Sequence, residues 1–126
     1  MGTILVVDDN PQNVDLARFL LERCNHKVIE AHNGQEAVDI ASKRPLDLML
    51  MDIQMPIMDG LQATKIIKAK ENSPTIVTLT GNTMFSDNDE IMHCGCDGYI
   101  QKPINPRNFP NEVSKWIKSS VYHLPS

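Results

Sequence analysis

The chain has 126 residues, of which 41% are hydrophobic and 22% charged, a composition that suits one globular domain with a buried core. Acidic residues outnumber basic ones by 16 to 12, and no basic cluster provides the footprint of a nucleic-acid-binding protein. No apolar stretch is long enough to cross a bilayer, and the first residues lack the basic region of a signal peptide. We therefore expect a cytoplasmic protein that binds neither membranes nor nucleic acid.

The cysteines form no pattern that predicts a disulfide framework or a zinc site. Cys24, Cys94 and Cys96 are odd in number, and their spacing is irregular. His93 with Cys94 and Cys96 resembles a fragment of a metal site, but no partner cluster occurs elsewhere in the sequence. We interpret the cysteines as small buried hydrophobic side chains.

Short apolar runs alternate with helical patterns along the chain. The predicted strands cover residues 3–7, 27–31, 47–51, 75–79 and 99–101, and the predicted helices cover residues 11–24, 35–43, 60–70, 85–94 and a last segment that reaches about residue 119. Asn10 is expected to cap the first helix, with Pro11 at its first helical position. Pro45 ends the second helix, and Gly95 ends the fourth.

Four of the predicted helices carry an apolar stripe that we expect to face the core. The stripes are Val14, Leu16, Ala17, Leu20 and Leu21 in the first helix, Ala37, Val38 and Ala41 in the second, Leu61, Ile66 and Ile67 in the third, and Val113, Trp116 and Ile117 in the last. The alternation predicts an α/β fold with a doubly wound, five-stranded parallel sheet and right-handed crossovers. We expect one domain over residues 1–120 and a loose tail over residues 121–126.

Polar side chains stand where four of the predicted strands end. Asp8 and Asp9 follow the first strand, Asp52 the third, Thr80 the fourth and Lys102 the fifth. The carboxyl ends of parallel strands share one edge of the sheet, and open α/β sheets bind their ligands there. Each residue alone has an ordinary interpretation, such as a helix cap, a strand-end residue or a solvated lysine. Their convergence favours a functional site.

The chemistry of this set indicates phosphoryl transfer to a carboxylate, which is a known covalent acceptor. The acids would repel an incoming phosphoryl group, so a cation must offset their charge. Mg²⁺ is suitable because it binds one or two carboxylates together with phosphate oxygens. Thr80 can donate a hydrogen bond to a phosphoryl oxygen, and Lys102 can supply a positive charge to the same group.

On these residues the sequence resembles a two-component response-regulator receiver domain. They lie in the motifs VVDDN, MDIQMPIMDG, TLTG and GYIQKP, which occur in the family's order and spacing. The resemblance runs from about Thr3 to Ile117 and implies the flavodoxin-like (βα)5 receiver fold. It also implies a phosphorylation-activated switch rather than an enzyme with a separate substrate, although such a domain can catalyse its own phosphorylation and dephosphorylation.

The resemblance assigns a role to each matching residue. Asp52 would accept the phosphoryl group from a phosphohistidine of a histidine kinase or a histidine phosphotransfer protein. Asp8, Asp9, Asp52 and the backbone carbonyl of Gln54 would bind Mg²⁺. Thr80 and Lys102 would contact the phosphoryl group, and Thr80 and Tyr99 would form the switch. A downstream protein would then bind through the fourth helix, the fifth strand and the last helix.

Several alternatives remain open. Tyr99 has an equally simple interpretation as a core side chain. The chain has a second interpretation as a receiver module from a hybrid sensor kinase or multidomain regulator. A flavodoxin-like nucleotide binder would need a phosphate-binding loop after the first strand, where Asp8 and Asp9 stand. A haloacid-dehalogenase-type phosphatase would need an aspartate at the position of Gln54.

The sequence departs from the family at Gly81, where alanine is usual, and at Pro110, within the expected last helix. A helix that began at Pro106 would place Pro110 in its second turn, where it cannot donate a hydrogen bond. We therefore predict a separate turn over residues 105–108 and a regular helix that starts near Phe109. We also expect a cis peptide bond between Lys102 and Pro103.

Overall fold

The computed structural model describes residues 2–52, 60–70, 73–80, 96–101 and 104–122, with the backbone alone at residues 60, 61, 80, 101 and 118–122. Its strands are β1 (Thr3–Val7), β2 (Lys27–Ala31), β3 (Leu48–Asp52), β4 (Thr75–Thr80) and β5 (Gly98–Gln101). Its helices are α1 (Pro11–Glu22), α2 (Gly34–Lys43), α3 (Gly60–Lys68) and α4 (Phe109–Tyr122). The predicted helix over residues 85–94, the bond between Lys102 and Pro103, and Gly81 lie outside the described residues.

The strands form one five-stranded sheet in the order β2-β1-β3-β4-β5, and the ladders between neighbours are parallel. This confirms the predicted parallel α/β sheet, and the order is that of the flavodoxin-like fold. The strands β1 and β3 are neighbours near the middle of the sheet, with Val7 paired to Met51. The residues that follow these two strands are therefore brought together.

The side chains of the central strands alternate between two hydrophobic layers, one on each face of the sheet. Ile4 and Val6 of β1 pack in the layer that includes α1 and α4, whereas Leu5 and Val7 pack in the layer that includes α2 and α3. All five residues of β3 are buried. A strand covered by helices on both faces reads as a continuous apolar run, which explains the sequence of β3.

The first helix is shorter and its buried stripe narrower than predicted. It ends at Glu22 instead of Cys24, and Asn25 after it has a left-handed φ of 67°. Val14, Ala17 and Leu21 are buried, but Leu16 is 36% exposed. Successive residues are about 100° apart around a helix, and this places Leu16 to one side of the buried stripe.

The interpretation of the cysteines as buried side chains is wrong for Cys24, which is exposed. Because α1 ends at Glu22, Cys24 lies beyond the buried face of that helix. Cys96 is partly buried and packs against the layer that includes α2 and α3. Neither of these two cysteines is in a disulfide within the described residues, and Cys94 lies outside them.

The last helix starts at Phe109, as the conflict at Pro110 predicted. The side chain of Asn105 accepts a hydrogen bond from the Arg107 N–H at 2.9 Å, and its carbonyl accepts from the Asn108 N–H at 3.1 Å. These bonds close a separate turn before the helix. Phe109 is fully buried, so it anchors this segment in the core. The helix continues to Tyr122, past the predicted end near residue 119.

Candidate functional site

Asp8 lies immediately after β1 and is held there by its own backbone and side chain. Its N–H donates to the carbonyl of Ala31 at 3.1 Å, which continues the pairing with β2. Its carboxylate oxygen Oδ1 accepts the N–H of Asn10 at 2.9 Å, while Asn10 caps α1 through the N–H of Gln12. Asp8 is 1% exposed, so its carboxylate is fixed inside the carboxyl edge of the sheet.

Asp52 is the last residue of β3 and is 3% exposed. It pairs with Leu79 in β4, so the third strand runs one residue further than predicted. Asp9, in contrast, is exposed. The structure places one carboxylate oxygen of Asp8, one of Asp9 and one of Asp52 within 4.8 Å of one another. The structure therefore gathers the three predicted acids into one cluster, with Asp9 on its solvent side.

This acidic cluster, Asp8 with Asp9 and Asp52, suits a hard divalent cation. Three carboxylates at this separation repel one another, and a positive charge between them offsets that repulsion. Mg²⁺ takes oxygen ligands, commonly one or two carboxylates, and completes its coordination with water and phosphate oxygens. The donor set, with Asp9 as its solvent-exposed member, fits such an ion.

The other predicted site residues are placed only in part. Thr80 ends β4 one position after Leu79, the partner of Asp52, and pairs with Gln101. Its backbone therefore lies at the same edge as the acidic cluster. Gln54 and Lys102 lie outside the described residues, so their predicted roles stay predictions.

Tyr99 is on the surface of β5, and its interpretation as a core side chain is wrong. The residue is 48% exposed. Its ring lines a surface cavity of about 270 Å³ together with Ile100, Glu112, Lys115 and Trp116. Sequence reasoning missed this cavity because it depends on how α4 lies against β5. The signal in the sequence that could have indicated it is Gly98 in β5, where the absence of a side chain allows α4 to approach the strand closely.

The family model of the response regulator receiver domain matches residues 4–114 of the chain. The chain belongs to the response regulator receiver domain family. Residues 4–114 include all three acids of the cluster. The family assignment agrees with the resemblance carried by the motifs, and it does not support a nucleotide-binding or phosphatase function.

Curated relatives include both sensor kinases and small response regulators. The sensor protein GacS of Pseudomonas syringae pv. syringae is 41% identical over 118 residues, which are 90% of this chain and 13% of that protein. The polar-differentiation response regulator DivK of Brucella anthropi is 35% identical over 117 residues, which are 91% of this chain and 95% of that protein. The chain thus spans a small part of the first relative and nearly all of the second. Both matches fit a receiver switch, which is part of a longer sensor protein in the first relative and nearly the whole protein in the second.

Solved receiver domains have the same fold. The signal receiver domain of a histidine kinase from Syntrophus aciditrophicus superposes with a TM-score of 0.89 at 28% identity, covering 100% of this chain and 96% of that one. The receiver domain of the sensor kinase PA1611 from Pseudomonas aeruginosa PAO1, which holds a magnesium ion in its active-site cleft, has a TM-score of 0.86 at 31% identity. The match covers 93% of this chain and 98% of the PA1611 receiver domain.

A receiver in complex with its partner is also similar to this chain. The receiver domain of the Saccharomyces cerevisiae response regulator Ssk1 was solved with the histidine phosphotransfer protein Ypd1. It has a TM-score of 0.86 at 28% identity and covers 94% of this chain and 90% of that one.

Within the described residues, no helix of the chain has the length and hydropathy that a membrane span requires.

Proposed function

We propose that Asp52 accepts a phosphoryl group from a phosphohistidine of a histidine kinase or a histidine phosphotransfer protein. The observation that carries this proposal is the acidic cluster at the carboxyl edge of the sheet, with one oxygen of each acid within 4.8 Å of the others. In the reaction, the nitrogen–phosphorus bond of the donor breaks and an oxygen–phosphorus bond forms at the Asp52 carboxylate. The donor histidine keeps the electron pair of the broken bond.

Asp52 is the best nucleophile of the three acids because of its position. It ends the central strand β3, where its backbone pairs with Leu79 of β4 and the preceding residue, Met51, pairs with β1. Asp8 is tied to the N–H of Asn10, and Asp9 stands at the surface. A rigid carboxylate at the centre of the edge keeps its oxygen in the geometry for attack, which lowers the entropic cost of the transfer.

We propose that Asp8, Asp9, Asp52 and the backbone carbonyl of Gln54 hold Mg²⁺ during the transfer. When bound, the ion supplies positive charge that offsets the carboxylates and the phosphoryl oxygens. Asp8 provides a buried, pre-oriented oxygen, and Asp9 provides one that faces solvent. The magnesium-containing receiver of PA1611 supports this assignment.

Thr80 and Lys102 are proposed to contact the phosphoryl group after transfer. Thr80 follows the β4 residue that pairs with Asp52, so its backbone lies at the adjacent strand end, on the same edge. Lys102 follows β5, the next strand. A hydrogen bond from Thr80 and a charge from Lys102 would stabilise the negative oxygens of the aspartyl phosphate.

The phosphorylated form is proposed to present a changed surface to a downstream protein. Tyr99 lies on β5, the neighbour of the strand that ends at Thr80, and is 48% exposed beside the cavity against α4. A shift of Thr80 toward the phosphoryl group would change the space open to this ring. The binding surface would comprise β5, α4 and the predicted helix over residues 85–94. We place these steps in the cytoplasm.

Incubation with acetyl phosphate and Mg²⁺, followed by intact-mass measurement, tests the assignment of Asp52. The wild type should gain the mass of one phosphoryl group, and Asp52→Asn should gain none. Asp15→Asn is the matched control, because Asp15 is an exposed acid on α1 outside the cluster. Equal labelling of Asp52→Asn and the wild type would refute the proposal.

A further inference from the structure

The amino end of β1 is held by two side chains, one on each side. The Gly2 N–H donates a hydrogen bond to Nδ1 of His26, with 3.1 Å between the nitrogens. The Thr3 N–H donates to Oδ2 of Asp47 at 2.7 Å. The Gly2 carbonyl accepts the Lys27 N–H at 2.9 Å, so both main-chain groups of Gly2 are bound to consecutive residues.

The imidazole of His26 has little freedom to move away from this contact. His26 lies in the connection between α1 and β2 and is 7% exposed. Its N–H donates to the carbonyl of Leu21 in α1 at 3.2 Å, which ties the connection to the helix. Asn25, with its left-handed φ of 67°, fixes the turn just before it. The ring therefore stands at a defined place between α1, β1 and β2.

The hydrogen bond from Gly2 requires a neutral imidazole. Neutral histidine has one nitrogen that donates and one that accepts, whereas both nitrogens donate in the protonated ring. Nδ1 accepts the Gly2 N–H, so the single proton of the neutral ring lies on Nε2. Protonation of Nδ1 would set two donors against each other and remove the bond.

The surroundings of His26 favour the neutral ring. Burial lowers the pKa of His26 below its ordinary value, and the positive charge of the amino terminus lowers it further. The carboxylate of Asp47 acts in the opposite direction and raises the pKa, but it does not outweigh burial. Asp47 is itself bound to the Thr3 N–H.

We propose that His26 is an acid-sensitive hydrogen-bond acceptor, and that its protonation releases Gly2 and the amino end of β1. The acidic cluster lies at the opposite end of β1, so the release begins away from the phosphorylation site. The folded protein binds this proton less readily than the unfolded chain does. The hydrogen bond therefore contributes its full stabilisation of the folded protein at pH values above the ordinary histidine pKa of about 6.5. This stabilisation is lost as the pH falls through the lower pKa that His26 has in the folded protein.

NMR spectroscopy between about pH 5 and pH 8, the range in which histidines titrate, tests whether protonation of His26 releases Gly2. The ring C–H resonances of His26 and the amide resonance of Gly2 should titrate with one shared midpoint below the ordinary histidine value. The hydrogen-exchange protection of the Gly2 amide, corrected for intrinsic exchange, should be lost over the same range.

The variant His26→Asn keeps an acceptor, because Oδ1 of asparagine can occupy the place of Nδ1 without titrating. Its Gly2 amide should stay protected at every pH in the range. The control His32→Asn changes a side chain that is 57% exposed and should leave the Gly2 titration as in the wild type. An unchanged Gly2 titration in His26→Asn would overturn the proposal. Should that variant not fold, different midpoints for His26 and Gly2 in the wild type would overturn it.

Discussion

The indole ring of Trp116 in α4 lies directly against the backbone of Gly98 in β5. A Cβ at residue 98 would overlap Cζ2 and Cη2 of the ring and would stand 3.1 Å from Cε2. Trp116 is partly buried against the core, and its ring also lines the cavity beside Tyr99. The absence of a side chain at Gly98 thus sets how closely α4 approaches the edge strand.

The variant Gly98→Ala should destabilise the protein by about 1–3 kcal/mol, the usual cost of an extra carbon in a packed site. Trp116 is the single tryptophan of the chain, so its fluorescence should shift as the ring is displaced. Urea unfolding measures the stability change. In a Trp116→Leu background, Gly98→Ala should reduce the free energy of unfolding much less. An equal loss in both backgrounds would show that the Trp116 ring is not what excludes a side chain at residue 98.

Removal of Asp9 should weaken magnesium binding and stabilise the metal-free protein. We expect Asp9→Ala to lose about tenfold or more in Mg²⁺ affinity, since even outer-shell changes at metal sites cost about 10–100-fold. The loss of one carboxylate should also relieve repulsion, which is about 1 kcal/mol for like charges at about 4 Å in water.

A magnesium titration followed by NMR, together with urea unfolding in a chelator, measures both effects. Asp15→Asn should match the wild type in each experiment. An Asp9→Ala protein with wild-type magnesium affinity would remove Asp9 from the proposed metal site.

Phe109 should be the most costly side chain to truncate at the start of α4. It is fully buried, so Phe109→Ala should destabilise the protein by about 3–5 kcal/mol. Phe19 is 58% exposed on α1 and provides the matched control, since Phe19→Ala removes the same atoms from a site in contact with water. Similar urea midpoints for the two variants would contradict the burial of Phe109.

Asp97 should be needed for the amino end of β4. Its Oδ2 accepts the Ile76 N–H at 2.8 Å and lies 2.6 Å from Nζ of Lys68 in α3. Asp97→Ala leaves both donors without this acceptor, and an unmet buried group costs about 1–3 kcal/mol. Asp97→Asn retains an oxygen for Ile76 and should lose less stability. Thermal unfolding compares the variants, and equal losses would show that the Ile76 bond does not matter.

The sequence predicted the sheet, the order of the elements and the location of the acids because these depend on local patterns. Continuous apolar runs identified the central strands, and Asp8 and Asp52 were placed at the same edge by the direction of parallel strands. The late start of α4 at Phe109 followed from proline geometry alone.

Features that depend on contacts between distant elements could not be read in this way. The exposure of Tyr99, for example, depends on how α4 approaches β5. The contact between His26 and Gly2 requires the register of β1 and β2, in which Thr3 pairs with Lys27. Nothing in the local sequence around His26 indicates that register.

Chemical mapping of the phosphorylated residue tests the central claim most directly. Borohydride reduces an aspartyl phosphate to homoserine, which tandem mass spectrometry can locate after labelling with acetyl phosphate and Mg²⁺. We predict homoserine at residue 52, and none when Mg²⁺ is chelated. Homoserine at Asp8 or Asp9 in place of Asp52, or a phosphoryl group on another side chain, would contradict the account.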